Sequence, residues 1–524
     1  MSRSLGAPAL LAAFLAGPLP AQDTPRSEIG WINEALEDRG TAPVASPRIP
    51  ADPRDTAPSG PITEEPIPSG GDRAIGILSP RATGFPLALW GQSSALRIAL
   101  LIERVEATGV PTARALYHRV LLAETRDPRG ESGRGRVLVA RLDRLIALGA
   151  LDEAEALILQ AGADRPVLFE RMFDIAVLTG RSDGACALLA RSPALTDDIA
   201  KRIYCAGRRQ DWQTADVLLM LARTLGTIDP ARAEQLALFI DPDAIAEDET
   251  VPFPEPFLPL DHAIREATGL EQPPGPVSLA LLYADSDPRT ALRERIMAAE
   301  RLSREADYPY PLLFAAYRAR PPAASGGIWD RVAAVRALDD AFVAGERDGI
   351  VAALGRADAE LAPLGLRAAL AREYGEALAR LPRAGLRDAT VSELLLLAGR
   401  PLPARAVLPE NADHPLRVAL AIAAEDPLSV RPAGVARDRD LRADAARAAF
   451  TEGFGDTETD RRLARLIDQG RVGETILEAL ALLDSGTEIA PPTLRSALAA
   501  LIGAGLIADA RAIAVETLLV DPPA

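Results

Sequence analysis

Between Val137 and Gln160 the apolar positions fall at helical spacing, then break, then resume. Leu138, Leu142 and Leu145 share one stripe of a first segment, and Ala154, Leu157 and Ile158 share one stripe of a second. Apolar residues three or four apart line one face of an α-helix, so the pattern predicts two amphipathic helices. Gly149 lies between them, where a residue able to adopt left-handed backbone is needed to end the first helix. The unit is helix, glycine turn, helix.

The unit recurs. Similar apolar segments end near Gly180, Gly207, Gly345, Gly399, Gly470 and Gly505, with a weaker copy at Gly109. The spacing is 31 residues from Gly149 to Gly180, 27 from there to Gly207, and 35 from Gly470 to Gly505. Ala154, Ala185, Ala404 and Ala510 each stand five residues past their glycine, where a small side chain lets two helices approach closely. A two-helix unit cannot bury its apolar face alone, so such units must stack. The late first-helix glycine and the second-helix alanine, over roughly residues 95–225 and 330–520, resemble the tetratricopeptide and Sel1-like class of helical repeats. The Trp-Leu-Gly-Tyr and terminal Pro positions of a full tetratricopeptide are missing. The resemblance implies an all-α fold, an α-solenoid of stacked helical hairpins.

The ends of the pattern divide the chain. Residues 1–21 carry Arg3, an apolar stretch from Leu10 to Ala16, the breaker Gly17-Pro18 and the small Ala21. That is the layout of a secretory signal peptide, with an apolar stretch too short to span a bilayer. Residues 22–86 are expected to form a flexible tail, with ten prolines between Thr41 and Pro86. Such a stretch cannot pack a core. Within it, residues 27–39 form a short amphipathic island. Ile29, Ile32 and Leu36 share a face, and with Trp31 they are the candidate partner-binding residues. A helical-repeat lobe is expected over 87–238 and another over 276–524. Between them, residues 239–275 read as an acidic, Pro-rich connector: seven acids and no Lys or Arg fall between Phe239 and His262. Trp329, just after Gly326-Gly327, is expected to pack the start of its helix into the core.

Composition supports the helical reading. Hydrophobic residues make up 48% and aromatics only 4%. Ala and Leu dominate, which suits helix cores better than sheets. The formal charge of −16 repels phosphate backbones, so nucleic acid is not an expected partner. Lys201 is the only lysine and Asn33 and Asn411 the only asparagines, a codon bias that points to a GC-rich, bacterial genome. An exported bacterial chain belongs first in the periplasm, and second in the medium. No segment is long and apolar enough to cross a membrane.

Cys186 and Cys205 are the only cysteines, and in an exported chain they are expected to pair. Cys186 falls nine residues before the midpoint of the turn around Leu195 and Cys205 ten after it. Antiparallel helices therefore place them at the same height.

The motifs of several chemistries are missing. Lys201 sits in Ala-Lys-Arg, so there is no P-loop, and the residue three before it is Asp198, so there is no Ser-x-x-Lys site. His118, His262 and His414 lie far apart, with no HExxH. The GRSDG string at Gly180–Gly184 mimics a nucleophile elbow around Ser182, but a helix precedes it where a strand is required. No cofactor, metal or catalytic residue is expected. The chain reads as an exported, non-enzymatic helical-repeat scaffold that binds a protein or peptide partner in the bacterial envelope. The alternatives are a peptidoglycan- or glycan-associated enzyme or accessory, and a structural subunit of an envelope machine. Its oligomeric state is not legible.

Overall fold

Proline and aspartate open the helices, and a left-handed residue closes them. Pro111, Pro166, Pro230, Pro259, Pro401 and Pro491 each stand at the first helical position, where a missing N–H costs nothing. Asp198, Asp211, Asp229, Asp388 and Asp413 are N-caps whose carboxylates accept a backbone N–H of the first turn. Part of the acidity of the chain is thus spent on helix N-termini, where negative charge is favoured.

The computed structural model describes residues 74–520, apart from 107–108, 129–134, 244–249, 275–276, 287–289, 434–436 and 485–488. All of them belong to one compact unit, Ile67–Ala524. Residues 1–21, read as a signal peptide, and the 27–39 island lie outside the described residues.

Among the described residues there are twenty-five α-helices and no strand beyond two single-residue bridges, Ile75 with Thr125 and Leu78 with Ala123. The first are α1 (Pro80–Thr83), α2 (Ala95–Arg104), α3 (Pro111–Leu122), α4 (Arg136–Ala147), α5 (Leu151–Ala161) and α6 (Pro166–Leu178). Then come α7 (Ser182–Arg191), α8 (Ile199–Arg208), α9 (Trp212–Leu225), α10 (Pro230–Ile240), α11 (Pro259–Thr268) and α12 (Leu279–Asp285). The middle holds α13 (Leu292–Glu305), α14 (Tyr310–Arg318), α15 (Ile328–Ala344), α16 (Arg347–Leu361), α17 (Arg367–Ala379) and α18 (Ala389–Leu397). Last are α19 (Pro401–Val407), α20 (His414–Ala423), α21 (Asp438–Thr451), α22 (Glu458–Asp468), α23 (Val472–Leu482), α24 (Pro491–Gly503) and α25 (Ile507–Leu519).

Most helices pack against their neighbours in sequence. Ten of the turns share one chemistry. The residue after the left-handed position donates its N–H five residues back, as Ala150 does to Leu145, Arg181 to Ala176 and Arg400 to Leu395, at 2.8–2.9 Å. Gly149, Gly180, Gly226, Gly269, Gly365, Gly399, Gly470 and Gly505 hold the left-handed position in eight of these turns. In the other two, Gln210 (φ 63°) and Glu425 (φ 62°) hold it.

This corrects one turn. Gly207 does not end its helix; α8 continues to Arg208, and Gln210 turns the chain. Gly207 is needed for space instead, since a Cβ there would lie 2.7 Å from the Phe239 ring. Counted from Gln210, the buried residue five positions on is Ala215, in register with Ala154, Ala185, Ala404 and Ala510. The spacing after Gly180 becomes 30 residues.

Contacts also join residues far apart in sequence. Helix α23 packs on α2, and α25 on α3. Gly473 N–H donates to the Leu89 carbonyl at 3.0 Å, and a side chain at Gly473 would collide with buried Trp90. Three buried glutamates line this seam. Glu474 accepts from Ser93 (2.6 Å), Arg97 and Arg471. Glu478 pairs with Arg97 and Arg462. Glu516 accepts from the Thr112 backbone N–H (2.7 Å), the Thr112 hydroxyl (2.8 Å) and Arg372 (2.9 Å). Arg119 and Asp509 pair at 2.7 Å. Helix α11, inside the stretch read as a connector, packs on α6 and α10, and its buried Asp261 receives Arg232 through both oxygens. Trp329 lies half-buried against the core.

Candidate interaction surface on the disulfide hairpin

The polar groups best placed for chemistry are occupied with one another. Among the described residues no three His, Cys, Asp or Glu side chains gather where a metal could sit. The histidines stand apart: His118 meets Asp307 (3.2 Å), His262 meets Gln272 (3.0 Å) and His414 meets Asp444 (2.9 Å). Ser182 opens α7, buried, and its hydroxyl lies 3.0 Å from the Tyr204 hydroxyl. Lys201 is buried between Glu170 (2.6 Å) and Asp174 (3.0 Å). Burial alone would lower its pKa, but these carboxylates outweigh it and raise the pKa, which favours the protonated amine.

One polar cavity, about 30 Å³, lies near the seam between α3, α13 and α17, lined by Arg114, Ser303, Asp307, Tyr308 and Arg372. Arg114 spends its donors on the carbonyls of Ala306 (3.2 Å) and Ser303 (3.1 Å). Burial lowers its pKa to about 10, which still leaves it charged. Space of this size suits a water molecule or two, not a substrate.

A different surface forms around α7, α8 and α9. The cysteines stand on facing helices, with Cα atoms 5.0 Å apart and sulfurs at bonding distance. Beneath them an aromatic row supports the helices: Phe173 meets Tyr204 edge-on, Tyr204 stacks on Phe239 at 5.2 Å, and Phe239 meets Trp212. Above them opens a groove of about 190 Å³, walled by Leu189, Pro193, Ala206 and Leu218 and by the cysteines themselves. Arg202 and Arg209 stand in its wall, and no carboxylate does.

Leu218 connects the groove to the outer face of α9. That helix is apolar on two sides. Ala215, Leu219 and Ala222 are buried, whereas Val217, Met220, Leu221 and Leu225 are 50%, 59%, 48% and 64% exposed. Val217, Leu221 and Leu225 are four residues apart, so they form one line along the helix, with Met220 beside it. A helix apolar all round is normally buried, so a bare second stripe marks a surface suited to a partner.

The sequence reading and this surface overlap only at Cys186 and Cys205. The tail residues Ile29, Trp31, Ile32 and Leu36 lie outside the described residues. The α9 stripe had a sequence signal that pointed nowhere by itself: Val217 to Ala222 is an unbroken apolar run, too long for one face of a helix. No protein-family model matches this chain, and neither a curated protein nor a solved structure matches it.

Proposed function

We propose that this protein is an exported, non-enzymatic scaffold of the α-solenoid class that binds a protein or peptide partner in the bacterial envelope. The observation that carries the proposal is the bare apolar stripe of α9 beside the arginine-bearing groove. Recurring hairpin turns of uniform chemistry support the solenoid assignment. The pairing of the polar clusters among themselves favours a binding role over catalysis. The amphipathic island with Ile29, Trp31, Ile32 and Leu36 is a second contact in this proposal.

Affinity capture from envelope extracts of the producing bacterium tests it. Wild-type protein should retain a partner that Val217→Asp/Leu221→Asp loses. Val343→Asp, at an isolated exposed position, should retain it. Equal capture by all three proteins would remove α9 from the binding surface.

A further inference from the structure

We infer that the groove beside α9 receives an acidic amphipathic helix of the partner, with an apolar side chain seated over the disulfide and carboxylates on Arg202 and Arg209. The inference rests on the binding role proposed above and specifies the partner's chemistry. Three observations carry it.

The first is size. A groove of about 190 Å³ is smaller than the ~300–1,000 Å³ of small-molecule sites, so it accommodates a side chain or two. Apolar Leu189, Pro193, Ala206 and Leu218 call for an apolar one.

The second is charge. The chain carries −16 overall, yet this groove has two arginines in its wall and no carboxylate. Arg209 donates through Nε to the Cys205 carbonyl, and no ion pair holds it among the described residues. Arg202 binds the carbonyls of Pro193 and Thr196. Its one ion pair, to fully exposed Asp197, is long at 3.7 Å. A partner's carboxylates would meet Arg209, which has no ion pair among the described residues, and Arg202, whose only ion pair is long and solvent-exposed.

The third is spacing. Arg202 in the first turn of α8 and Arg209, which caps its C-terminus, are seven residues apart, about two turns or about 10 Å along the helix. A helix lying alongside matches them with acids at i and i+7, and its own apolar stripe then runs over Leu218 onto Val217 and Leu221. This is recognition of a helix in a groove, with anchors on one face and charges beside them.

The test is fluorescence anisotropy with stapled helical peptides carrying leucines on one face and glutamates at i and i+7. The expected result is binding to wild type, weakened about tenfold or more by Arg202→Glu/Arg209→Glu. The same peptide with lysines for glutamates should bind that variant and not wild type. Because Arg202 also secures the turn before α8, Arg209→Glu alone is measured alongside, and circular dichroism identifies any unfolded variant. If the double variant is unfolded, Arg209→Glu carries the comparison.

Absence of binding by the glutamate peptide, or equal binding of the two peptides to wild type, would overturn the inference. So would dimerisation that the arginine substitutions abolish, because a second copy would then be the occupant. Stripe-dependent capture of an envelope partner without any preference for the acidic peptide would leave the docking face in place and remove the acidic helix.

Discussion

The seam between the first and last helices and the hairpin around the disulfide are both places where helices meet, and they are built oppositely. At the seam, Glu474, Glu478 and Glu516 are buried and each is met by at least one arginine from a distant part of the chain. At the hairpin, partners lie 19 residues apart, joined by two cysteines and an aromatic row, and one face is left bare. Ionic partners fix geometry because each charge demands a particular mate, and a buried glutamate without its arginine is costly. A covalent link and apolar packing hold the groove side of the hairpin, while its ion pairs, Lys201 with Glu170 and Asp174 and Arg208 with Asp183, involve other residues. That leaves Arg202 and Arg209 available. The seam spends its charges on itself, whereas at the groove Arg209 has no ion pair among the described residues and Arg202 has one long, exposed pair.

The largest effect that distinguishes the two is expected at the seam. Glu474→Ala strips Ser93, Arg97 and Arg471 of a common acceptor. Removing one partner of a fully buried ion pair costs about 3–5 kcal/mol, and the partial exposure of Arg97 and Arg471 places this loss at or below about 3. Urea unfolding measures it. Hydrogen exchange should quicken in α2 and α23 while α7 and α8 stay protected. Uniform quickening would mean that the seam and the hairpin are one cooperative element.

Cys186→Ser/Cys205→Ser probes the other side. Opening this short loop is expected to cost about 3 kcal/mol in the chain-entropy account. Exchange should rise in α7 and α8 and stay unchanged at the seam.

These regions also differ in how legible they were. The hairpin is a local object. Glycine turns and the near-equal distance of the two cysteines from Leu195, nine and ten residues, act within about thirty residues, so pattern and spacing suffice. Even the error there was local: Gly207 looked like a turn residue, and the alanine five positions past Gln210 carried the correct register. The seam depends on residues such as Ser93 and Glu474, 381 positions apart. Glu474, Glu478 and Glu516 are three acids among 74, and nothing in their local sequence marks them as buried. The α9 stripe was visible as apolar residues, but which of its two faces would be covered depends on packing by α8 and α10, which periodicity does not contain.

Smaller effects refine the turn chemistry. Gly207→Ala should destabilise by about 1–3 kcal/mol, because Phe239 must shift within the aromatic row. Gln210→Gly should stabilise by up to about 1 kcal/mol, since glycine takes the left-handed conformation without the cost a side chain incurs. Thermal midpoints of the pair should move in opposite directions. A loss from both would restore Gly207 as the turn residue.

The smallest effect is a pH dependence at the acidic end. Burial pushes the Asp460 carboxyl up, but hydrogen bonds from Ser496 and Thr457 outweigh it and hold it below the usual range. At Asp307 burial is likewise outweighed, by the His118 hydrogen bond and the charges of His118, Arg114 and Arg372. A carboxyl whose folded pKa is depressed stabilises fully above its unfolded value of about 3.9, and loses that contribution as pH falls through the folded value. The urea midpoint should therefore decline as the pH is taken below about 4. Asp460→Asn should be less stable at neutral pH and decline less steeply in acid.

The central claim, that the face of α9 is the surface offered to a partner, is tested most directly by site-specific photocrosslinking in the producing cells. A photoreactive residue is placed in turn at Leu221, at Leu225 and, as exposed apolar controls, at Leu96 and Val343. The account predicts one discrete adduct from Leu221 and Leu225, absent at Leu96 and Val343, and lost when Arg209→Glu is added. Adducts of equal yield at all four positions, or none at Leu221 and Leu225, would contradict it.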